Sequence, residues 1–329
     1  MDRYLLSTIE TASKKGSTTK FKKDVLHGLQ SNPKKLHPKY FYDEVGSELF
    51  RKIMKLPEYY LTDCELDIFQ NKTVELAKLI NQNNDGFDLI ELGSGDGFKS
   101  KYLLDYLCHS NADFTYMPID ISKSALSYLN DSLHSELPGM EVQTFEGEYM
   151  EMLAEACYIS DRRKVVLFLG ANIGNMEVEE AMEFCRELHA LLSTRDLLLI
   201  GFDLKKNPQK VLAAYNDESG ITAKFNLNLL ERINRELGAD FEVDQFEHYA
   251  TYDPMSGSCR SFLVSLKDQN VAIGKKNVNF YKNEVIQMEI SQKYDANQIC
   301  SLAVNTGFET LGMIMDTKHW FVDAIWKKL

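Results

Sequence analysis

Short apolar runs alternate with helical stretches through the middle of the chain. The runs are FDLIEL, FTYMPID, VQTFEGEY, KVVLFLGANIG and DLLLIGFDL, which begin at residues 87, 114, 142, 164 and 196. Helical spacing fills the segments between them, at residues 99–108, 122–133 and 177–192. Apolar runs without strict alternation, separated by helices, are typical of a parallel sheet buried on both faces. The pattern predicts an α/β fold with a doubly wound, mostly parallel sheet.

The region before these runs is predicted to be helical. From residue 40 to residue 80 the apolar positions have helical spacing, and Pro57 interrupts them. Thr62 or Asp63 is expected to cap the helix that follows, because its side-chain oxygen can accept from a backbone N–H of the first turn. The first 20 residues are rich in Ser, Thr and Lys, which predicts a mobile N-terminus.

The pattern changes after Lys205. Residues 211–237 predict two helices around a glycine turn, and residues 246–266 predict two strands joined by a turn that contains Pro254 and Gly257. The other predicted elements are a strand within residues 284–294, a helix over 295–306 and a closing strand over 321–329. The pattern therefore predicts a sheet-based core that is interrupted by an insertion of helices and a strand pair.

Composition excludes several classes of function. The 329 residues include 37 basic and 49 acidic side chains, and the formal charge of −12 would repel nucleic acid and anionic lipid surfaces. The N-terminal residues lack the apolar segment of a signal peptide, and no run is long enough to span a membrane. The six cysteines form no CxxC pair and no ligand set with histidine, so we expect reduced thiols, no metal and a cytoplasmic monomer.

A glycine-rich turn follows the first predicted strand. Gly93, Gly95 and Gly97 form a GxGxG sequence, with Ser94 between the first two. Without Cβ atoms, these residues can take unusual backbone angles and let a ligand lie against the main chain. Asp120 ends the next strand, roughly 25 residues further on, where a carboxylate can accept both hydroxyls of a ribose. The pair predicts a cofactor that contains adenosine, and a purely structural turn is the alternative.

The residues around the turn favour S-adenosylmethionine. Phe98 stands where a dinucleotide-binding motif has its third glycine. Glu91 and Asp96 flank the turn, and two carboxylates suit a cationic ligand better than the pyrophosphate of a nicotinamide dinucleotide. S-adenosylmethionine carries a sulfonium and an ammonium but no phosphate. The alternative is a nicotinamide cofactor, and hence a dehydrogenase.

Longer motifs on both sides of the turn are shared with a known family. They are YFYDEVGSELF from residue 40, LPEYYLT from residue 56, ELGSG from residue 91, FLGANIGN from residue 168, the stretch from DLKKNP to ELGADF over residues 203–241, and EISQKY from residue 289. On these motifs the chain resembles, over residues 21–329, the L-histidine Nα-methyltransferase family of ergothioneine biosynthesis. The resemblance implies S-adenosylmethionine as the cofactor and a small-molecule amino acid as the substrate.

The resemblance also implies a fold and a division of the chain. The expected fold is a Rossmann-like class I methyltransferase core with a second, substrate-binding domain made from N-terminal helices and an insertion. The expected segments are residues 1–20 as a mobile N-terminus, 21–67 as the first part of the substrate-binding domain, 68–205 as the cofactor-binding core, 206–293 as the substrate-binding insertion and 294–329 as the return to the core.

Position by position, the resemblance assigns site residues on this chain. The cofactor would bind Gly93, Ser94, Gly95, Lys99, Asp120, Glu148 and Tyr149. The catalytic residues, which hold the amino acid, would be Tyr59, Asn175 and Tyr215, and the imidazole side would be Tyr42, Glu289 and Ser291. No metal or covalent nucleophile is needed, because methyl transfer from a sulfonium is an in-line displacement. Without the resemblance, Asn175 could cap the next helix, the tyrosines could fill a core and Glu289 could lie on a solvated face.

One position departs from the family pattern. Arg260 and Ser261 stand where the family commonly has Glu and Met, and that methionine packs near the ring end of the substrate. Serine would open or wet this wall, and Arg260 would add a charge. The expected reaction is the conversion of L-histidine to Nα,Nα,Nα-trimethylhistidine (hercynine). The alternatives are the same chemistry on another amino acid, since the family includes an enzyme for a prenylated tryptophan, and a non-catalytic amino-acid-binding protein.

Overall fold

The computed structural model describes residues 19–81 and 85–329, so most of the predicted mobile N-terminus lies outside the described residues. The strands are β1 Lys34–Lys35, β2 Phe87–Leu92, β3 Phe114–Asp120, β4 Glu141–Val142, β5 Phe145–Glu146, β6 Arg163–Phe168, β7 Leu197–Asp203, β8 Phe246–Tyr252, β9 Ser258–Ser265, β10 Gln269–Ile273, β11 Lys276–Phe280, β12 Val285–Gln292, β13 Phe308–Met315 and β14 Phe321–Lys328. The helices are α1 at 19–30, α2 Glu44–Ile53, α3 Tyr60–Asn71, α4 Thr73–Ile80, α5 Ser100–His109, α6 Lys123–Glu136, α7 Tyr149–Tyr158, α8 Val178–Leu191, α9 Pro208–Tyr215, α10 Ile221–Leu237 and α11 Ala296–Asn305.

The described chain forms two compact units. The insertion unit contains the residues up to Tyr60 together with Asn207–Ser291. The core unit contains Leu61–Lys206 together with Gln292–Leu329. Each unit has its own cluster of buried apolar side chains.

The core unit is built on one mixed sheet. Its strand order is β13-β14-β7-β6-β2-β3-β4, with β5 also beside β3. The strands β2, β3, β6 and β7 pair in parallel, whereas β14 runs antiparallel to both β7 and β13. Every residue of β2 and β7 is buried, as expected for strands covered on both faces. The predicted α/β fold with a doubly wound, mostly parallel sheet is confirmed.

The sheet reverses its winding direction at β2. From β2 the chain passes to β3 on one side, and it later returns to place β6 on the other side. In doubly wound sheets, the crevice at the carboxyl ends of the strands at such a reversal is where ligands bind. The ends of β2 and β6 are therefore the place to look for a site in the core unit.

Within the core unit, the segment that leads into the insertion is bonded to the segment that returns from it. The Lys205 N–H donates to the Tyr294 carbonyl (2.8 Å), and the Tyr294 N–H donates to the Asp203 carbonyl (3.0 Å). The Asp203 carboxylate, which is completely buried, is 2.7 Å from Lys293 Nζ and also pairs with Lys206. Backbone and ion-pair contacts thus hold the exit and the return of the chain side by side.

The insertion unit contains a second sheet, with strand order β1-β12-β9-β8, and the antiparallel pair β10–β11. The long helix α10 packs on this sheet, because Phe225 and Leu229 share an apolar cluster with Leu263 of β9 and Met288 of β12. Gly238, with φ +64° and ψ 42°, ends α10 in the left-handed conformation that glycine adopts without a Cβ clash. The helices and strands predicted after Lys205 are confirmed.

Some predicted details are wrong. The helix α3 begins at Tyr60, so Thr62 and Asp63 lie inside its first turn and neither occupies the N-cap position. The run over residues 142–149 forms only the short strands β4 and β5, because the chain turns at Gly147, whose N–H donates to the Asp120 carbonyl. The strand β13 was not predicted, since its residues are mostly half-buried and its pattern shows neither alternation nor a continuous buried run.

Candidate active site

The main chain after β2 bends through three glycines. Gly93, Gly95 and Gly97 have φ of +73°, +55° and +66°, values that other residues rarely adopt. A Cβ atom at Gly93 would lie 2.6 Å from the Tyr149 hydroxyl, whereas one at Gly95 would meet no described atom within 4 Å. Ser94 is buried, and its hydroxyl has no hydrogen-bond partner within the described residues. Open space and an unsatisfied polar atom at this turn both fit a bound cofactor.

Asp120 is fixed beside the same turn. Because β2 and β3 are parallel neighbours, with Leu92 beside Ile119, the residues at their carboxyl ends lie together. The Gly95 N–H donates to Asp120 Oδ2 (3.0 Å), and the Ser122 N–H donates to Asp120 Oδ1 (2.8 Å). The structure therefore brings the glycine turn and the acid together, and two backbone donors orient the carboxylate.

Glu148 and Tyr149 lie at the start of α7, where Glu148 occupies the N-cap position and Tyr149 is the first helical residue. The hydroxyl of Tyr149 is the atom nearest to the Cβ position of Gly93. Burial, together with the negative charges of Asp120 and Glu148, raises the pKa of Tyr149 to about 12. The phenol is therefore protonated at neutral pH and can donate a hydrogen bond beside the turn.

Lys99 is held by an acid that the sequence interpretation missed. Lys99 precedes α5 and forms an ion pair with Glu65 of α3. The two carboxylate oxygens of Glu65 also accept from the Gly170 N–H, at 2.8 and 3.0 Å. The helical spacing of the sequence could have indicated that Glu65 is buried, because Glu65 stands midway between Leu61 and Phe69 on the buried face of α3.

The negative charge at the turn is smaller than the sequence interpretation assumed. Glu91 is buried at the end of β2 and accepts from the Tyr116 hydroxyl at 2.5 Å. Burial raises the pKa of Glu91 to about 7. Asp96 is exposed and accepts from the Phe98 N–H at 3.2 Å. Glu91 is thus only partly ionised at neutral pH, so the charge beside the turn favours a cationic ligand less strongly than the sequence predicted.

Asn175 does not cap the helix that follows it. It ends a short 3-10 helix, Asn172–Asn175, just after β6, and its side-chain amide is 3.5 Å from the Asn172 amide oxygen. The N-cap position of α8 is taken by Glu177, whose N–H donates to the Glu180 carboxylate (3.0 Å). Asn175 is exposed. The alternative that Asn175 serves as a helix cap is therefore wrong, and its assignment to substrate stays a prediction.

The insertion unit brings three of the predicted substrate residues together. The rings of Tyr59 and Tyr215 meet edge to face, with their centroids 6.3 Å apart. The Tyr215 hydroxyl is 2.7 Å from the Ser291 hydroxyl, and both residues are buried. Tyr215, at the end of α9, thus contacts both Tyr59, which precedes α3, and Ser291, which lies on β12.

Tyr42 is connected to this group through two phenylalanines. Its ring centroid is 5.4 Å from that of Phe50 and 5.6 Å from that of Phe225, in edge-to-face contacts. Phe50 in turn lies 6.2 Å from Tyr59. We call Tyr42, Phe50, Tyr59, Tyr215 and Phe225 the aromatic group. Sequence reasoning missed Phe50 and Phe225, because apolar residues on helices are indistinguishable from ordinary core positions.

Arg260 and Ser261, which are expected to depart from the family pattern, lie on β9. Ser261 pairs with Ala250 of β8, and it is 1% exposed with a hydroxyl that has no hydrogen-bond partner in the described part of the chain. Arg260 is half-buried and, as the neighbouring strand residue, points to the opposite face. The two side chains therefore cannot line the same wall. Glu289 lies two residues before Ser291 on β12 and is half-buried.

Within residues 19–81 and 85–329, no group of three or more His, Cys, Asp and Glu side chains could hold a metal ion. Over the same residues, no helix has both the length and the apolar character to cross a membrane. The six cysteines are all free thiols.

The sheet winding and the residues at the ends of β2 and β3 define a class of protein. Parallel strands on both sides of β2, a left-handed glycine turn and an acid tied to that turn are typical of a Rossmann-like core that binds a cofactor containing adenosine. The sequence model of the histidine-specific, S-adenosylmethionine-dependent methyltransferases matches residues 21–328. The chain belongs to this family, and it is an S-adenosylmethionine-dependent N-methyltransferase.

Individual relatives are similar over most of the chain. The histidine N-alpha-methyltransferase of Mycobacterium tuberculosis is 38% identical over 275 residues, which cover 83% of this chain and 84% of the relative. The enzyme of the same name from Mycolicibacterium smegmatis is 33% identical over 304 residues, covering 92% and 91%. The ergothioneine biosynthesis protein 1 of Schizosaccharomyces pombe is 30% identical over 273 residues, which cover 81% of this chain and 35% of the relative.

Proposed function

We propose that this protein methylates the α-amino group of L-histidine three times and forms Nα,Nα,Nα-trimethylhistidine (hercynine), as a step of ergothioneine biosynthesis. The observation that carries the proposal is the match of residues 21–328 to a family described as histidine-specific. Relatives named histidine N-alpha-methyltransferase, at 38% and 33% identity, support the same substrate.

The cofactor is proposed to bind at the end of β2. S-adenosylmethionine supplies a methyl group on a sulfonium, so the protein needs no covalent nucleophile. The bare backbone at Gly95 leaves room for the ligand, and Asp120 would accept the ribose hydroxyls. The Ser94 hydroxyl, which is buried without a described partner, and the protonated Tyr149 hydroxyl would complete the polar contacts.

The substrate amine is proposed to be oriented by Tyr59, Asn175 and Tyr215. The methyl acceptor must be a neutral amine whose lone pair faces the methyl group in line, with water excluded. The hydrogen bond between the Tyr215 and Ser291 hydroxyls supports a defined position for the Tyr215 oxygen. As methyl groups accumulate, the amine loses its hydrogen-bond donors, and aromatic faces such as that of Tyr59 can stabilise the growing cation.

The ring end of histidine is proposed to bind Tyr42, Glu289 and Ser291. Imidazole presents one N–H donor and one acceptor nitrogen when it is neutral. A carboxylate at Glu289 suits the N–H, directly or through water, and the Tyr42 ring offers an apolar face. The edge-to-face contacts of Tyr42 with Phe50 and Phe225 support a fixed ring orientation.

Mass spectrometry after incubation with S-adenosylmethionine and L-histidine tests the proposal. We expect products that carry one, two and finally three methyl groups. Imidazolepropionic acid, which lacks the α-amino group, is the matched control and should gain none. A protein that binds S-adenosylhomocysteine but leaves histidine unmethylated would contradict the proposal and favour an amino-acid-binding protein without turnover.

A second candidate is the same chemistry on another amino acid. The observation in its favour is Ser261, a buried hydroxyl without a described partner at the position where the family commonly has methionine. Competition assays that compare kcat/KM for histidine with the values for the other standard amino acids and for indole derivatives decide between the two. A non-histidine substrate with the higher kcat/KM would replace histidine in the proposal.

We further propose that the enzyme works as a monomer in the cytoplasm. Free cysteines are typical of proteins kept in a reducing compartment, and the formal charge of −12 favours a well-solvated single chain. Light scattering coupled to gel filtration tests the oligomeric state, and cell fractionation tests the compartment.

A further inference from the structure

Glu65 connects the ends of three neighbouring strands in the core unit. Its carboxylate pairs with Lys99, which follows β2, and accepts from the Gly170 N–H, which follows β6, at 2.8 and 3.0 Å. On β7, a Cβ atom at Gly201 would lie 2.4 Å from Glu65 Oε1, so only glycine leaves room for the carboxylate there. Since β2, β6 and β7 are consecutive in the sheet, one side chain reaches across all of them.

The ion pair between Lys99 and Glu65 lies where the sheet reverses its winding direction, between β2 and β6. A Cβ atom built at Gly170 would be 3.6 Å from Lys99 Nζ, which places the ammonium next to the loop after β6 although Lys99 itself follows β2. Lys99 thus spans the crevice between the ends of β2 and β6, where doubly wound sheets bind their ligands. Gly170 has φ of +78°, so this loop also depends on a glycine conformation.

The two partners differ in their access to a ligand. The side chain of Lys99 is 23% exposed, whereas that of Glu65 is 1% exposed. Lys99 can therefore contact a molecule in the crevice, and Glu65 can act on that molecule only through Lys99 and the Gly170 loop. An anion as deeply buried as Glu65 requires paired charge and hydrogen bonds, and it has both.

Two other acids surround Lys99 but cannot replace Glu65. Burial raises the pKa of Glu91 to about 7, and burial, with the charge of Glu65, raises the pKa of Asp323 well above its ordinary value. Both oxygens of Asp323 are buried without a hydrogen-bond partner in the described residues. Glu65 is the acid among these three that has direct contacts with both Lys99 and the backbone of the Gly170 loop.

We propose that Glu65 is a positioning residue for the cofactor: it holds the Lys99 ammonium over the crevice between β2 and β6, where Lys99 binds the carboxylate at the amino-acid end of S-adenosylmethionine. The proposal rests on the cofactor-binding role given above to Lys99. A lysine has a flexible stem with several rotatable bonds, so a fixed counter-ion is what converts it into a directed donor. Glu65 also anchors the Gly170 loop that leads to Asn175.

A double-mutant cycle tests this role through the binding of S-adenosylhomocysteine, measured by titration calorimetry without substrate. Glu65→Gln keeps an acceptor for the Gly170 N–H but loses the charge that holds Lys99. We expect Kd to rise about tenfold for Glu65→Gln and for Lys99→Met, because each removes a charge-assisted contact. The double variant should bind no more weakly than Lys99→Met alone, since Glu65 acts through Lys99.

Lys101→Met is the matched control. Lys101 lies in the first turn of α5, just after Lys99, and pairs with Glu136 at the surface, so its removal should leave Kd unchanged. In steady-state kinetics, Glu65→Gln should raise KM for S-adenosylmethionine more than it lowers kcat. If Glu65→Gln is not recovered folded, Glu65→Asp takes its place in the cycle, because it keeps the charge but is one methylene shorter.

Two results would overturn the proposal. Additive effects of the Glu65 and Lys99 substitutions on Kd would mean that Glu65 acts independently of Lys99. A lower melting temperature for the Glu65 variant with an unchanged Kd would mean a purely structural role. These results leave the histidine assignment untouched, whereas a wild-type protein that fails to bind S-adenosylhomocysteine would contradict the proposed function itself.

Discussion

Substitutions in the glycine turn should distinguish an effect on the stability of the fold from an effect on cofactor binding. Gly95 and Gly93 both have positive φ, but a Cβ atom at Gly95 would enter space without described atoms, whereas one at Gly93 would lie 2.6 Å from the Tyr149 hydroxyl. If the cofactor lies against this backbone, Gly95→Ala should weaken cofactor binding, and its effect on folding should not exceed that of an alanine at another left-handed glycine. Gly93→Ala should damage both, because Tyr149 must move.

The expected magnitudes follow from the backbone and the contacts. A non-glycine residue in the left-handed region costs roughly 1–2 kcal/mol, and this cost applies equally at Gly93, Gly95 and Gly238. Gly238→Ala, at the end of α10, is the matched control, since its φ is +64° and its Cβ would also meet no described atom within 4 Å. Gly95→Ala should in addition weaken cofactor binding tenfold or more, which corresponds to about 1.4 kcal/mol.

Titration calorimetry with S-adenosylhomocysteine and thermal unfolding of the ligand-free protein measure the two effects. Gly95→Ala and Gly238→Ala should lower the melting temperature similarly, and Gly93→Ala should lower it further. Only the two substitutions at the turn should raise Kd. Equal Kd values for Gly95→Ala, Gly238→Ala and the unaltered protein would refute the placement of the cofactor against the turn.

Other predictions concern single side chains. Asp120→Asn should raise Kd for S-adenosylhomocysteine at least tenfold, because the amide cannot accept from two backbone donors and a ribose as a carboxylate does; an unchanged calorimetric Kd would contradict this. Tyr215→Phe and Ser291→Ala should each lower kcat/KM for histidine, and the loss in the double variant should be smaller than the sum of the two, because each substitution removes the same 2.7 Å hydroxyl contact; fully additive kinetic losses would argue against coupling. Burial raises the pKa of Glu91 from 4.5 to about 7, so the folded state binds this proton more tightly than the unfolded state. The resulting destabilisation is full above pH 7 and disappears as the pH falls towards 4.5. Melting temperatures measured from pH 8 to pH 5 should therefore rise more, or fall less, for the unaltered protein than for Glu91→Gln, and parallel curves would count against the effect.

The sequence pattern was sufficient for the parallel strands β2, β3, β6 and β7 because they are buried almost continuously. FDLIEL and FTYMPID coincide with β2 and β3 to the residue. The strand β13 was not predicted because its burial follows neither an alternating nor a continuous pattern. The run at residues 142–149 was predicted as one strand, but it divides into the short strands β4 and β5, a turn at Gly147 and the start of α7. Periodicity reports regular burial: it predicts β9, whose residues alternate between buried and half-buried, and it fails at β13, whose burial is irregular.

The candidate site was predictable to a different degree at each residue. Gly93, Gly95 and Asp120 follow from local chemistry, since turn and acid end neighbouring strands. Tyr59, Tyr215 and Ser291 lie far apart in the chain, so their grouping came from resemblance rather than from spacing. Glu65 was missed because a single acid on an apolar helix face does not reveal its partner. In the sequence, α4 and β2 lie between Glu65 and that partner, Lys99.

The bonds that join the exit and the return of the chain have an evolutionary consequence. Within the core unit, ion pairs hold the two segments side by side: the Asp203 carboxylate pairs with Lys206 and Lys293. Backbone hydrogen bonds of Lys205 and Tyr294 add to these contacts. The segment between Lys206 and Lys293 therefore leaves the core unit and returns to it at the same fixed place. Changes of length or sequence between these points can then accumulate without shifting the register of the core strands, provided that the segment keeps its packing against the N-terminal residues of its own unit. Evolution could in this way alter the acceptor molecule while the methyl-donor site stays the same.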